Sequence, residues 1–117
     1  MRHQVKKIKL GLPRDQRKLL LGNLATSLVM HEKIQTTKAK AKVLQPFFEK
    51  LVVASKNVNK REAIRAAKDV LQTEVSSKKL VDDLSKRYQD KTSGFTRITN
   101  IGFRAGDAAP LVQIELV

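Results

Sequence analysis

The strongest constraint on the fold lies at the end of the chain. Residues 87–117 read RYQDKTSGFTRITNIGFRAGDAAPLVQIELV. Val112, Ile114 and Leu116 alternate there with Gln113 and Glu115, the period of a strand with one buried face. An earlier strand carries Ile98 and Ile101, neighbours that suggest a buried face beside Phe95. Between the strands, Arg104-Ala105-Gly106-Asp107 supplies a turn in which Gly106 permits a positive φ. Unanchored termini fray, so an apolar Val117 points to a last strand tied into a sheet. Lys86, Arg87, Lys91, Arg97 and Arg104 stand beside this hairpin, which reads as a rigid frame for cations.

Upstream, the period changes to that of helices. Over 14–30, Leu20, Leu24 and Leu28 recur every four residues, with Leu21 and Ala25 beside them. Asp15 suits the positive end of the dipole, and Gly22 costs about 1 kcal/mol relative to Ala in a helix interior. Residues 31–37 (HEKIQTT) read as a short strand anchored by Ile34 and expected to join the hairpin. Thr36 or Thr37 then caps a second helix, with Ala41, Leu44, Phe48, Leu51 and Ser55 inward. Pro46 lacks an N–H and is expected to bend this helix without ending it before about Lys56. Asn59 caps a third helix over 60–72, and Ser76 or Ser77 a fourth that ends near Tyr88. The fold class is α+β, with about four helices packed on a small three-stranded sheet. Residues 1–14 form a basic N-terminal extension, broken from the single domain of residues 15–117 by Gly11 and Pro13.

Charge narrows the function. Lys and Arg number 24 against 11 Asp and Glu, a formal net charge of +13 in 117 residues. Such an excess destabilises the compact state until a polyanion relieves it. The third and fourth helices hold Glu62, Asp69, Glu74, Asp82 and Asp83, so the excess falls in the N-terminal third and around the hairpin. There is no cysteine, which removes disulfides and thiolate metal sites. No apolar run approaches the roughly 20 residues of a membrane span, and no apolar stretch follows the basic start as in a secretory signal. Neither GxGxxG nor GxxxxGK[ST] occurs, so no cofactor is expected. His3 and His31, without HExxH spacing or a cysteine, make no metal site. His31 reads as a helix-end or RNA-facing side chain rather than a catalytic base.

Several residues have both a structural and a functional reading. Arg2, His3, Lys6, Lys7 and Lys9 form either a solvated tail or an arm that orders on RNA. Thr36, Thr37, Lys40 and Lys42 make either a capped helix with a solvated lysine face or a phosphate site at a helix start. Gly94 is either a plain turn glycine or a point of close approach to RNA. Tyr88 and Phe95 are either core or stacking platforms. Arg17, Arg87, Arg97 and Arg104 are better candidates than any aromatic, because a guanidinium fork matches phosphate.

The ordered set of Met1-Arg2-His3, Lys9-Leu10, Arg17-Lys18, Asn23-Leu24, His31, Ile34, Thr36-Thr37 and Lys40-Ala41-Lys42 resembles the bacterial large-subunit ribosomal protein seventeen family. So do Arg87-Tyr88, Asp90, Gly94-Phe95-Thr96-Arg97, Gly106-Asp107-Ala108-Ala109-Pro110 and Ile114-Glu115-Leu116-Val117. The likeness spans nearly the whole chain but departs at 11–16 and weakens over 57–76. It implies a non-enzymatic, cytoplasmic constituent of the large subunit that binds large-subunit rRNA. The implied contacts are Arg2, His3, Lys6, Lys7, Lys9, Arg17, Lys18, Asn23, His31, Thr36, Thr37, Lys40, Lys42, Arg87, Lys91, Gly94, Arg97 and Arg104. It also implies neighbouring ribosomal proteins on the exit-tunnel side, no membrane and no small-molecule substrate. Family members often carry a basic residue at the position of Gly22.

Two other classes fit the composition less well. A DNA-binding or nucleoid-architectural protein would place its cations on one helix or ribbon. Here they are scattered over tail, strands and helix starts. An RNA-processing enzyme would need a clustered acid and base, and the carboxylates instead lie on helices among lysines.

Overall fold

A computed structural model describes residues 9–56 and 59–117. Helix α1 (Arg14–His31) leads into strand β1 (Lys33–Thr37), then helices α2 (Lys38–Ser55) and α3 (Lys60–Val70). A fourth helix, α4, spans 74–87: an α segment (Glu74–Lys79), a π-turn (Leu80–Leu84) and a closing α turn (Ser85–Arg87). Strands β2 (Thr96–Phe103) and β3 (Pro110–Leu116) complete an antiparallel sheet of order β1-β3-β2. The C-terminal strand is therefore the central one, and the 31–37 segment joins the hairpin as expected. None of the described helices is long and apolar enough to cross a membrane.

Alternation in β3 works as the sequence requires. Val112 and Ile114 are fully buried and lie opposite Thr36 and Ile34 of β1. Helices α1 and α2 cover this face, and α3 and α4 pack on the helices rather than on the sheet. Leu28, Leu44, Phe48, Leu80 and Leu84 fill the space between the layers. Tyr88 and Phe95 close the core below the sheet, ring centroids 5.2 Å apart, and the Tyr88 hydroxyl donates to the Val117 carbonyl at 3.0 Å. Both aromatics are core, not stacking platforms.

Helix ends differ from expectation in physically legible ways. His31 is the last residue of α1, so β1 starts two residues later, at Lys33. Glu32 turns the chain in the left-handed region (φ 61°), its N–H donating to the Leu28 carbonyl at 2.8 Å. Thr37 occupies the N-cap of α2, but its hydroxyl makes no capping bond, and Thr36 stays within β1. Asn59 caps α3 by accepting from the Arg61 N–H at 3.1 Å, and the helix ends at Val70, two residues early. The cap of α4 is Thr73, not Ser76 or Ser77: its hydroxyl accepts from the Ser76 N–H at 3.2 Å. Both serines are instead buried in the first turn, their hydroxyls donating to the Thr73 carbonyl. α2 continues through Pro46, which costs one intrahelical bond but leaves the apolar stripe in place.

The expectation that Ile101 faces the core is wrong. The β2–β3 register slips between Asn100 and Gly102, and Ile101 in that bulge is 48% exposed. Ile101 is three residues beyond Ile98, so strand alternation itself sets it on the side of the exposed Arg97 and Thr99.

Candidate nucleic-acid interface

Covering one sheet face with helices leaves the other to polar side chains. Register places Lys33, Glu115 and Arg97 in one row across the three strands, and Gln35, Gln113 and Thr99 in the next. Lys33, Gln35, Arg97 and Thr99 are exposed, while Gln113 and Glu115 are half-buried. The Arg97 guanidinium stands 3.8 Å from the Glu115 carboxylate. With Lys33 on its other side, Glu115 orients cations without cancelling the row. Amide, hydroxyl and guanidinium groups on a flat, rigid surface are the donors and acceptors that meet phosphate, sugar and base edges.

A second cluster forms at the same end of the sheet, around Glu32. Its carbonyl accepts from the Leu116 N–H at 2.9 Å, tying the end of α1 to β3. Its carboxylate accepts from Lys79 at 3.3 Å and from the Arg87 guanidinium, both on α4. The Arg87 hydrogen bond is the main reason the Glu32 carboxyl lies below its ordinary range; partial burial opposes this and Lys79 adds to it. The same bond raises Arg87, which stays cationic throughout. Arg87 is thus a held cation, positioned by a residue 55 places away in sequence.

Comparison with known proteins places the chain in a family. The model of the Ribosomal protein L17 family matches residues 20–117. The chain belongs to the ribosomal protein L17 family. A relative from Rickettsia bellii, named large ribosomal subunit protein bL17, is 44% identical over all of this chain and 82% of its own length. The protein of the same name from Neorickettsia sennetsu is 38% identical with both chains covered in full. The one from Erythrobacter litoralis is 44% identical over all of this chain and 83% of its own.

In this L17-family chain the expected contact residues separate into groups. Arg2, His3, Lys6 and Lys7 lie outside the described residues. Lys9 and Lys18 are exposed and Arg17 is half-buried, all at or near the start of α1, while the exposed Asn23 lies at mid-helix. At 1.5 Å per residue, Arg17 and the exposed His31 are roughly 20 Å apart along the axis. The start of α1 therefore continues the N-terminal extension, and His31 belongs with the sheet. Thr37 and the exposed Lys42 mark the start of α2, with Lys40 half-buried; Thr37 pairs with Leu111, near the hairpin tip. Both threonines are half-buried, but Thr36 lies opposite the buried Val112 and Thr37 opposite Leu111, so Thr37 is on the side away from the core.

Lys91 is exposed, and its carbonyl accepts from the Lys56 ammonium, which sits 5.3 Å from the Phe95 ring centroid. Gly94 has φ +72° with open space where a Cβ would be, so backbone conformation alone accounts for the glycine. Arg104 is engaged within the hairpin: its Nε donates to Asp107 Oδ1 at 3.1 Å and its second terminal nitrogen to Oδ2 at 2.5 Å. That pairing, helped by the Ala109 N–H, holds the Asp107 carboxyl down to about 2.

Lys33, Gln35, Thr99 and Gln113 were not singled out from the sequence, although strand alternation with Ile34 and Ile114 already placed them on one face. Lys79 carries no such signal, since only the tertiary fold brings it to Glu32. A side chain at position 22 does not fit here. A Cβ on Gly22 would lie 2.8 Å from the Val70 carbonyl oxygen and 3.0 Å from Gln72 Nε2. Gly22 is where α1 meets the end of α3, and no side chain can reach RNA from it without moving backbone.

Proposed function

We propose that this chain is a non-enzymatic structural constituent of the cytoplasmic large ribosomal subunit, binding large-subunit rRNA through its N-terminal extension and the open sheet face. Membership of the ribosomal protein L17 family over residues 20–117 is the observation that carries this reading. The sheet presents Lys33 and Arg97 on a rigid frame, and the Glu32-held Arg87 of α4 stands beside them. The N-terminal extension, with Arg2, His3, Lys6, Lys7 and Lys9, supplies the remaining phosphate contacts. Neutralising phosphates lowers repulsion between rRNA segments and holds their tertiary arrangement while neighbouring ribosomal proteins assemble on the exit-tunnel side. That location rests on the family resemblance.

The test is co-sedimentation with large subunits across a salt series. About eight phosphate contacts give a slope of log K against log salt near −6. A fourfold rise in salt should then weaken binding by a factor on the order of 10³–10⁴. Salt-insensitive binding, or equal affinity for duplex DNA in competition, contradicts the reading.

A further inference from the structure

We propose that the β2–β3 hairpin tip is a docking knob for an apolar pocket on a neighbouring large-subunit protein. The inference rests on the ribosomal reading above and names a surface and partner chemistry within it. Phe103 is 75% exposed and Ile101 48% exposed, on the free edge strand of the sheet. Phe103 lies opposite Pro110, which is also exposed. Ile101 sits in the bulge between Asn100 and Gly102 and shares the strand parity of the exposed Arg97 and Thr99.

The tip is also built to hold its shape. Across the loop the Arg104 N–H donates to the Ala109 carbonyl at 2.8 Å, and the Ala108 N–H to the Arg104 carbonyl at 3.0 Å. The Arg104 guanidinium is bound on two sides by Asp107, whose Oδ1 also accepts from the Ala109 N–H at 3.2 Å. This decides the kind of partner. The tip spends its cation internally, so it is charge-balanced on a chain of net charge +13. A phosphate backbone would find no uncommitted charge there, whereas an apolar protein pocket would receive a rigid aromatic with little ordering cost. Large exposed aromatics of this kind are typical interface anchors.

The experiment places p-benzoylphenylalanine at position 103, assembles the full chain into large subunits and irradiates them. The expected adduct joins position 103 to a different large-subunit protein at apolar residues. An adduct on rRNA, on a second copy of this chain, or none at all overturns the proposal. A companion variant, Phe103→Ser with Ile101→Ser, should lose about tenfold in retention on salt-washed subunits. Its affinity for protein-free large-subunit rRNA should stay within twofold of wild type. Equal losses in both assays assign the tip to RNA and overturn the protein pocket. If the unmodified chain does not enter large subunits at all, the ribosomal reading fails first, and its loss is distinguishable from that of the tip.

Discussion

Replacing Gly22 with alanine sets two magnitudes against each other. A glycine in the interior of an 18-residue helix costs about 1 kcal/mol relative to alanine, so propensity alone predicts a more stable protein. The added Cβ, however, would come within 2.8 Å of the Val70 carbonyl oxygen. The 3.0 Å contact with Gln72 Nε2 can be relieved by rotating a side chain, but Val70 O is backbone at the end of α3. The junction is further fastened by Thr26, whose hydroxyl donates to the Gly22 carbonyl at 2.8 Å and accepts from the Gln72 N–H at 3.0 Å. Overpacking of this kind costs about 1–3 kcal/mol. The net expectation is destabilisation by about 1 kcal/mol. In a chain of this length that lowers the melting temperature by roughly 3–5 °C. Urea unfolding followed by far-ultraviolet circular dichroism measures it, with exposed Asn23→Ala in the next position as the control that gains propensity without contact. If Gly22→Ala proves more stable than wild type, the contact with α3 is not what holds glycine there.

Three further outcomes are expected. Thr96 Oγ1 is the one buried side-chain polar atom among the described residues with no hydrogen-bond partner, so Thr96→Val should raise stability by about 1 kcal/mol. A lower urea midpoint would show that the hydroxyl has a partner. Glu32 has a depressed carboxyl, so its ion pairs stabilise the fold above its unfolded value of about 4.5, and the gain disappears as pH falls through the lower folded value. Glu32→Gln should therefore cost about 0.5–1 kcal/mol at pH 7, discounted for its partial exposure, and progressively less as the pH is lowered below the ordinary carboxylate range; a pH-independent difference would contradict this. Replacing Lys33 and Arg97 together by alanine should make the salt slope of rRNA binding shallower by about 1.5 with no large change in melting temperature; an unchanged slope would remove the sheet face from the interface.

The elements were legible because their signals are local. The every-fourth-residue leucines of α1, the Asn59 cap and the Val112-Ile114-Leu116 alternation each speak within a few residues, and each element formed. Misreadings arose where a local rule competed with a packing requirement. Ser76 and Ser77 satisfied the cap pattern as well as Thr73 did, but the core took them into the first turn of α4. Ile98 and Ile101 stand three apart, so a two-residue period could not put both on the core face. Arg87 and Arg104 were both legible as cations, yet each is committed to a carboxylate, Arg104 to one three residues away and Arg87 to one 55 residues away. Tyr88 and Phe95 were open between core and stacking, and burial decided for core.

What the sequence determined alone is the fold class, the cationic character and the family, because periodicity, composition and an ordered set of short motifs need no third dimension. What only the tertiary structure decided is which groups remain available. The Lys33-Glu115-Arg97 row exists because antiparallel register brings three strands into line, and Gly22 is required because α3 ends against it. The apolar hairpin end is exposed because the helices stop short of it. Each of these depends on distances between residues far apart in the chain, and those distances are set by how helices and sheet close on a common core.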